Sequence, residues 1–97
     1  MSTFDIIVDL AAKEICKVCD KDNYATFNDM CKTYSWGTEE VREFVTYTVA
    51  SIAQNNESDS VYMVDGNGTL IIETEGAIYP YGEFIAAIRK KLKTMGK

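Results

Sequence analysis

Thr38-Glu39-Glu40-Val41-Arg42-Glu43-Phe44-Val45-Thr46-Tyr47-Thr48-Val49-Ala50-Ser51-Ile52 is the clearest element in the chain. Val41, Phe44, Val45, Thr48, Val49 and Ile52 follow the i, i+3, i+4, i+7 spacing of an amphipathic helix. Thr38 reads as its N-cap, and Glu39 and Glu40 stand where the helix dipole favours negative charge. Residues 54–60 then form the longest polar stretch, and beyond them the period changes from 3.6 to 2. Val61-Tyr62-Met63-Val64 reads as a strand and Asp65-Gly66-Asn67-Gly68 as a turn. Thr69-Leu70-Ile71-Ile72-Glu73-Thr74 and Ala77-Ile78-Tyr79-Pro80 follow as two more strands, joined at Glu75-Gly76.

Working outward, Thr3 to Lys21 predicts a first helix, with Phe4, Ile7, Val8, Ala11, Ile15, Val18 and Cys19 on one stripe. A short second helix follows Thr26-Phe27-Asn28-Asp29, which has capping-box spacing, and Phe27, Met30, Cys31 and Tyr34 form its inward side. The last helix runs from about Tyr81 to Met95 on a stripe of Phe84, Ile85, Ile88 and Leu92. The predicted class is α+β in a single domain spanning residues 1–97. Its order is three helices, a three-stranded antiparallel meander, then a C-terminal helix.

Composition narrows the chemistry. The chain contains no histidine, which removes the commonest general base and zinc ligand. Three cysteines fit a reducing compartment better than a disulfide framework. Cys16-x-x-Cys19 stands in the last turns of the first helix, where the dipole raises a thiol pKa, so packing explains it better than redox or metal chemistry. Asp65-Gly66-Asn67-Gly68-Thr69 begins like a calcium loop, but Leu70 and Gly76 occupy the positions that need Gly and Glu. No cofactor or metal is expected, and no nucleophile elbow or glycine-rich phosphate loop suggests an enzyme. No apolar run is long enough to span a membrane, and Asp5 and Asp9 interrupt the N-terminal apolar stretch. These features predict a cytoplasmic location.

Charge carries the functional reading. Residues 89–97 hold five bases and no acid, which leaves fifteen acids against five bases in residues 1–88. Such a body is repelled by nucleic acid and attracted to cationic protein surfaces. Glu39 and Glu43 are i,i+4 neighbours with Glu40 beside them, a like-charge arrangement that does not serve helix stability. Glu39, Glu40, Glu43, Asp20, Asp22 and Asp29 are therefore the candidate partner-binding carboxylates, with Tyr47 as an aromatic anchor off the apolar stripe. Tyr62, Tyr79 and Trp36 are further candidates for a contact surface. The second and third helices also outline a helix-turn-helix, which would make the chain a dimeric transcriptional or toxin-antitoxin regulator. The glutamates at the start of the third helix argue against DNA there. A small morphogenesis or adaptor protein with no electrostatic target is a third possibility.

The acidic body, together with Val61-Tyr62-Met63-Val64-Asp65-Gly66-Asn67-Gly68-Thr69-Leu70-Ile71-Ile72-Glu73 leading into Tyr81-Gly82-Glu83-Phe84, resembles type I-F anti-CRISPR proteins. These are small phage- or prophage-encoded inhibitors of the Csy surveillance complex in the host bacterial cytoplasm. The resemblance implies a DNA mimic whose carboxylates replace phosphates before the partner's lysines and arginines. The implied partner is a basic nucleic-acid-binding protein surface in the large-subunit or tail region of that complex, with no direct nucleic-acid or membrane contact. The basic segment 89–97 departs from a uniformly acidic mimic, and is expected to face away from the partner or to contact an acidic neighbour.

Overall fold

The computed structural model describes the backbone of residues 3–55, 60–64, 69–74 and 77–97, and the side chains of residues 4–52 and 80–97. Four helices make the body: α1 (Thr3–Lys21), α2 (Phe27–Thr33), α3 (Thr38–Asn55) and α4 (Tyr81–Thr94). Between α3 and α4 the backbone is extended in three short segments, β1 (Ser60–Val64), β2 (Thr69–Thr74) and β3 (Ala77–Pro80). They pair antiparallel in the order β1-β2-β3, with Tyr62 opposite Ile71 and Ile72 opposite Tyr79.

α1 is the hub, packing against α2, α3 and α4. Its stripe of Ile7, Val8, Ala11, Ala12, Ile15 and Cys19 is buried. Phe27, Met30 and Cys31 of α2, Val45 and Val49 of α3, and Phe84, Ile88 and Leu92 of α4 close the same core. The expected α+β class is corrected by this arrangement. Of the residues whose side chains are described, 81% are helical, and every buried core side chain comes from one of the four helices. The physical reason is that amphipathic stripes can bury one another. α1 offers apolar surface to three other helices, and among the residues whose side chains are described their stripes alone supply the buried core. The turns at 65–68 and 75–76, including the calcium-like segment, lie outside the described residues, as do the Tyr62 and Tyr79 side chains.

Three helices end in one way. After α1, α2 and α4 the chain enters the left-handed region at Asn23 (φ 61), Ser35 (φ 55) and Gly96 (φ 83). The next N–H then reaches back to a carbonyl five residues earlier: Tyr24 to Cys19, Trp36 to Cys31 and Lys97 to Leu92, at 2.9, 2.9 and 2.8 Å. This is the Schellman closure, usually made with glycine, sometimes with asparagine. Ser35 is the misfit, because a Cβ in this region carries a steric cost. Ser35→Gly is expected to raise the unfolding free energy by about 0.5–1 kcal/mol, read from urea denaturation. An unchanged or lowered midpoint would show that the serine is not strained.

Two local readings are also corrected. The Val41 N–H bonds the Gly37 carbonyl at 3.1 Å, so Gly37 is the N-cap of α3 and Thr38 lies one residue inside the helix. Tyr34, expected on the inward side of the second helix, is 50% exposed, because α2 ends at Thr33 and the turn carries the ring outward. The α2 cap is formed by Thr26, whose Oγ1 accepts from the Asp29 N–H at 3.0 Å.

The basic segment contacts acidic neighbours of its own chain. Lys91 Nζ lies 3.2 Å from Asp9 on α1, which also pairs with Lys13 at 3.0 Å. Those two ammonium groups hold the Asp9 carboxyl below the usual carboxylate range. Lys97 Nζ reaches Asp20 at 2.6 Å and donates to the Tyr24 carbonyl, while its own carbonyl accepts from the Phe27 N–H. The end of α4 is thereby tied to α1 and to the start of α2. Among the described residues, no helix is long and apolar enough to cross a membrane.

Candidate protein-binding surface

The candidate carboxylates separate into three settings. Glu39 and Glu43 stand one turn apart on α3 with Tyr47 a further turn along, and all three are exposed. They make a single stripe ending in a ring that is 75% open to solvent. Glu40 lies about 100° around the helix from Glu39 and turns back toward the N-cap. Its Oε2 comes within 3.0 Å of where a Cβ on Gly37 would stand. A glutamate three residues after the N-cap commonly folds back in this way, so Glu40 is engaged at the helix end rather than displayed with the other two.

Asp20 and Asp22 belong to the end of α1 and the turn after it. Asp20 is taken up by Lys97 and by the Cys16 Sγ at 3.9 Å. Asp22 accepts from the Tyr34 hydroxyl at 3.3 Å, and its charge holds the phenol proton on more tightly than usual. Asp29 is exposed in the first turn of α2, where the dipole favours it.

What links the Asp22 end to the α3 stripe is a seam of aromatic rings. Tyr24 and Tyr34 meet edge to face at 6.1 Å, Tyr34 stacks on Trp36 at 5.5 Å, and Trp36 meets Phe44 at 5.2 Å. Phe44 and Tyr47 then line a shallow depression of about 480 Å³ with Thr48, Ser51, Ile52 and Glu14 of α1. The order across this surface is Asp22, Tyr34, Trp36, Phe44, Tyr47. The rings come from the turn after α1 (Tyr24), the end of α2 (Tyr34), the turn before α3 (Trp36) and α3 itself (Phe44 and Tyr47).

Glu14 was not singled out from sequence, and it shares the depression with Tyr47. Its only signal was its place as an exposed acid on α1, one of many. Tyr34 was missed as a surface ring because it continues the apolar spacing of α2. The cysteines line up with packing: Cys19 and Cys31 are buried, and burial pushes both thiols above their ordinary range. Among the described residues, no group of three or more His, Cys, Asp or Glu could hold a metal ion.

Compared with protein-family models, curated proteins and solved structures, the chain matches none. The functional reading therefore rests on the surface itself.

Proposed function

We propose that this chain is a non-enzymatic inhibitor that occupies a basic, nucleic-acid-binding surface of another protein. The resemblance to type I-F anti-CRISPR proteins makes the Csy surveillance complex its target. The observation that supports this reading is the exposed Glu39–Glu43 stripe ending in Tyr47, joined to Asp22 by a run of contacting rings. Residues one helical turn apart set their β-carbons about 5–6 Å from each other, so Glu39 and Glu43 form a short row of negative charge on one face. The carboxylates steer the encounter, and the rings supply the apolar contact that slows dissociation.

Target-DNA binding by a purified type I-F surveillance complex, with and without the protein at two salt concentrations, tests the proposal. DNA binding is expected to be lost at low salt and restored at higher salt, because screening weakens a charge-steered complex. Undisturbed DNA binding, with no complex formed at low salt, would overturn it. A dimer that itself binds DNA would instead favour the regulator reading.

A further inference from the structure

A second surface has the opposite charge. α2 and the first half of α4 enclose a groove of about 480 Å³ walled by Trp36, Val41, Tyr81 and Ile85, with Lys32 and Arg89 at its rim. A second depression, of about 180 Å³, continues from it past Phe27 and Leu92 to Lys93. Asn28 and Arg89 line both, so the two depressions adjoin at this hydrogen-bonded pair and run in tandem along the α2–α4 seam, together the α2–α4 channel.

Arg89 is held in place for this role. Its Nη1 donates to Asn28 Oδ1 at 2.8 Å, and its guanidinium lies over the Phe27 ring at 5.5 Å. Lys32, Arg89 and Lys93 have no carboxylate partner among the described residues, in a chain of net charge −5. The neighbouring cations are different: Lys91 and Lys97 are committed to Asp9 and Asp20. A folded, orienting contact on an arginine that lacks a counter-ion leaves donors free for a planar anion.

The channel also has a direction. The apolar walls Trp36, Val41, Tyr81 and Ile85 lie at one end, with Glu40 folded over Gly37 beside it, whereas Lys93 lies at the other. From this we infer that the α2–α4 channel binds an acidic peptide segment of a partner protein. An apolar anchor fills the Trp36–Tyr81 end, and the carboxylates run past Arg89 toward Lys93. Two depressions in tandem fit an extended chain better than a compact ligand, and the apolar walls fit side-chain anchors. Glu39 and Glu43 lie outside this lining, and the two surfaces meet at Trp36, so one chain offers a cationic and an anionic face that share one ring.

Trp36 is the sole tryptophan, and its emission reports on the channel directly. The probe is a synthetic peptide of leucines followed by glutamates, titrated against the intact protein. A saturable change in emission is expected, with the midpoint raised about tenfold by Arg89→Gln through loss of charge-assisted hydrogen bonds. Lys93→Gln, at an exposed position, is expected to raise it less while leaving the fold untouched, and Glu39→Lys with Glu43→Lys is expected to leave it unchanged. That last result separates this inference from the proposed function. The absence of a saturable change, or equal binding of a glutamine-for-glutamate peptide, would overturn it. Tighter binding of a thymidine oligonucleotide with the same dependence on Arg89 would also overturn it and assign the channel to nucleic acid.

Discussion

Phe84→Ala is expected to lower the unfolding free energy by about 3–5 kcal/mol, enough to leave a domain of this size largely unfolded in mild urea. The Phe84 ring is fully buried on α4 and meets Phe4 of α1 at 4.7 Å, so truncation opens a cavity on the seam that joins first helix to last. The surrounding walls come from helices whose stripes already face one another, which limits how far they can collapse into the void. A urea titration followed by circular dichroism reads the change as a lower midpoint with the slope retained. Tyr47→Ala supplies the comparison: its ring is 75% exposed, and its removal is expected to cost no more than about 0.5 kcal/mol. A Phe84→Ala loss below about 1 kcal/mol would mean that α4 does not close the core as described.

The other large effect concerns binding. Under the function proposed above, Glu39→Lys combined with Glu43→Lys is expected to weaken association with a type I-F surveillance complex about a hundredfold. Each reversal removes one attraction and adds one repulsion, each up to about 1 kcal/mol at an exposed pair. The loss should appear chiefly in the association rate and shrink as salt rises. Reversal near the α3 N-terminus also opposes the helix dipole, so a stability loss of about 0.3–1 kcal/mol is expected alongside it. Glu40→Gln is expected to behave differently. Its carboxylate is turned onto Gly37, so its change should register in α3 stability more than in binding. If the double reversal binds the complex as tightly as the parent, the α3 stripe is not the contact surface.

The helices were legible because each carries its period over enough residues to be unambiguous. Phe84, Ile88 and Leu92 fall in the core as their spacing on α4 predicts, and Ile7, Ala11 and Ile15 do so on α1. What the spacing could not show is which element packs on which. A stripe states that a face is buried, not which element covers it, so a body of four mutually packed helices is not announced by any one of them. The same limit applies to the surface. Glu39, Glu43 and Tyr47 could be grouped because one helix fixes their spacing. The joining of Asp22 to that stripe depends on a turn at Ser35 that brings Tyr34 against Trp36, and no local pattern announces a left-handed serine. Lys97 and Asp20, far apart in the chain, meet only once α4 has docked.

The packing of α4 on α1 also fixes an order of events during synthesis. α1 ends at Lys21 and α4 begins at Tyr81, so at ordinary translation speeds the first helix waits roughly 3–12 s for its last partner to be made. Through that interval the part of its stripe that α4 will cover faces the ribosome surface and the cell interior. A nascent chain stalled before Tyr81 would present this uncovered stripe to chaperones, and a shortened messenger would yield a product prone to clumping. α1 is thus fully covered only late, when α4 docks on it.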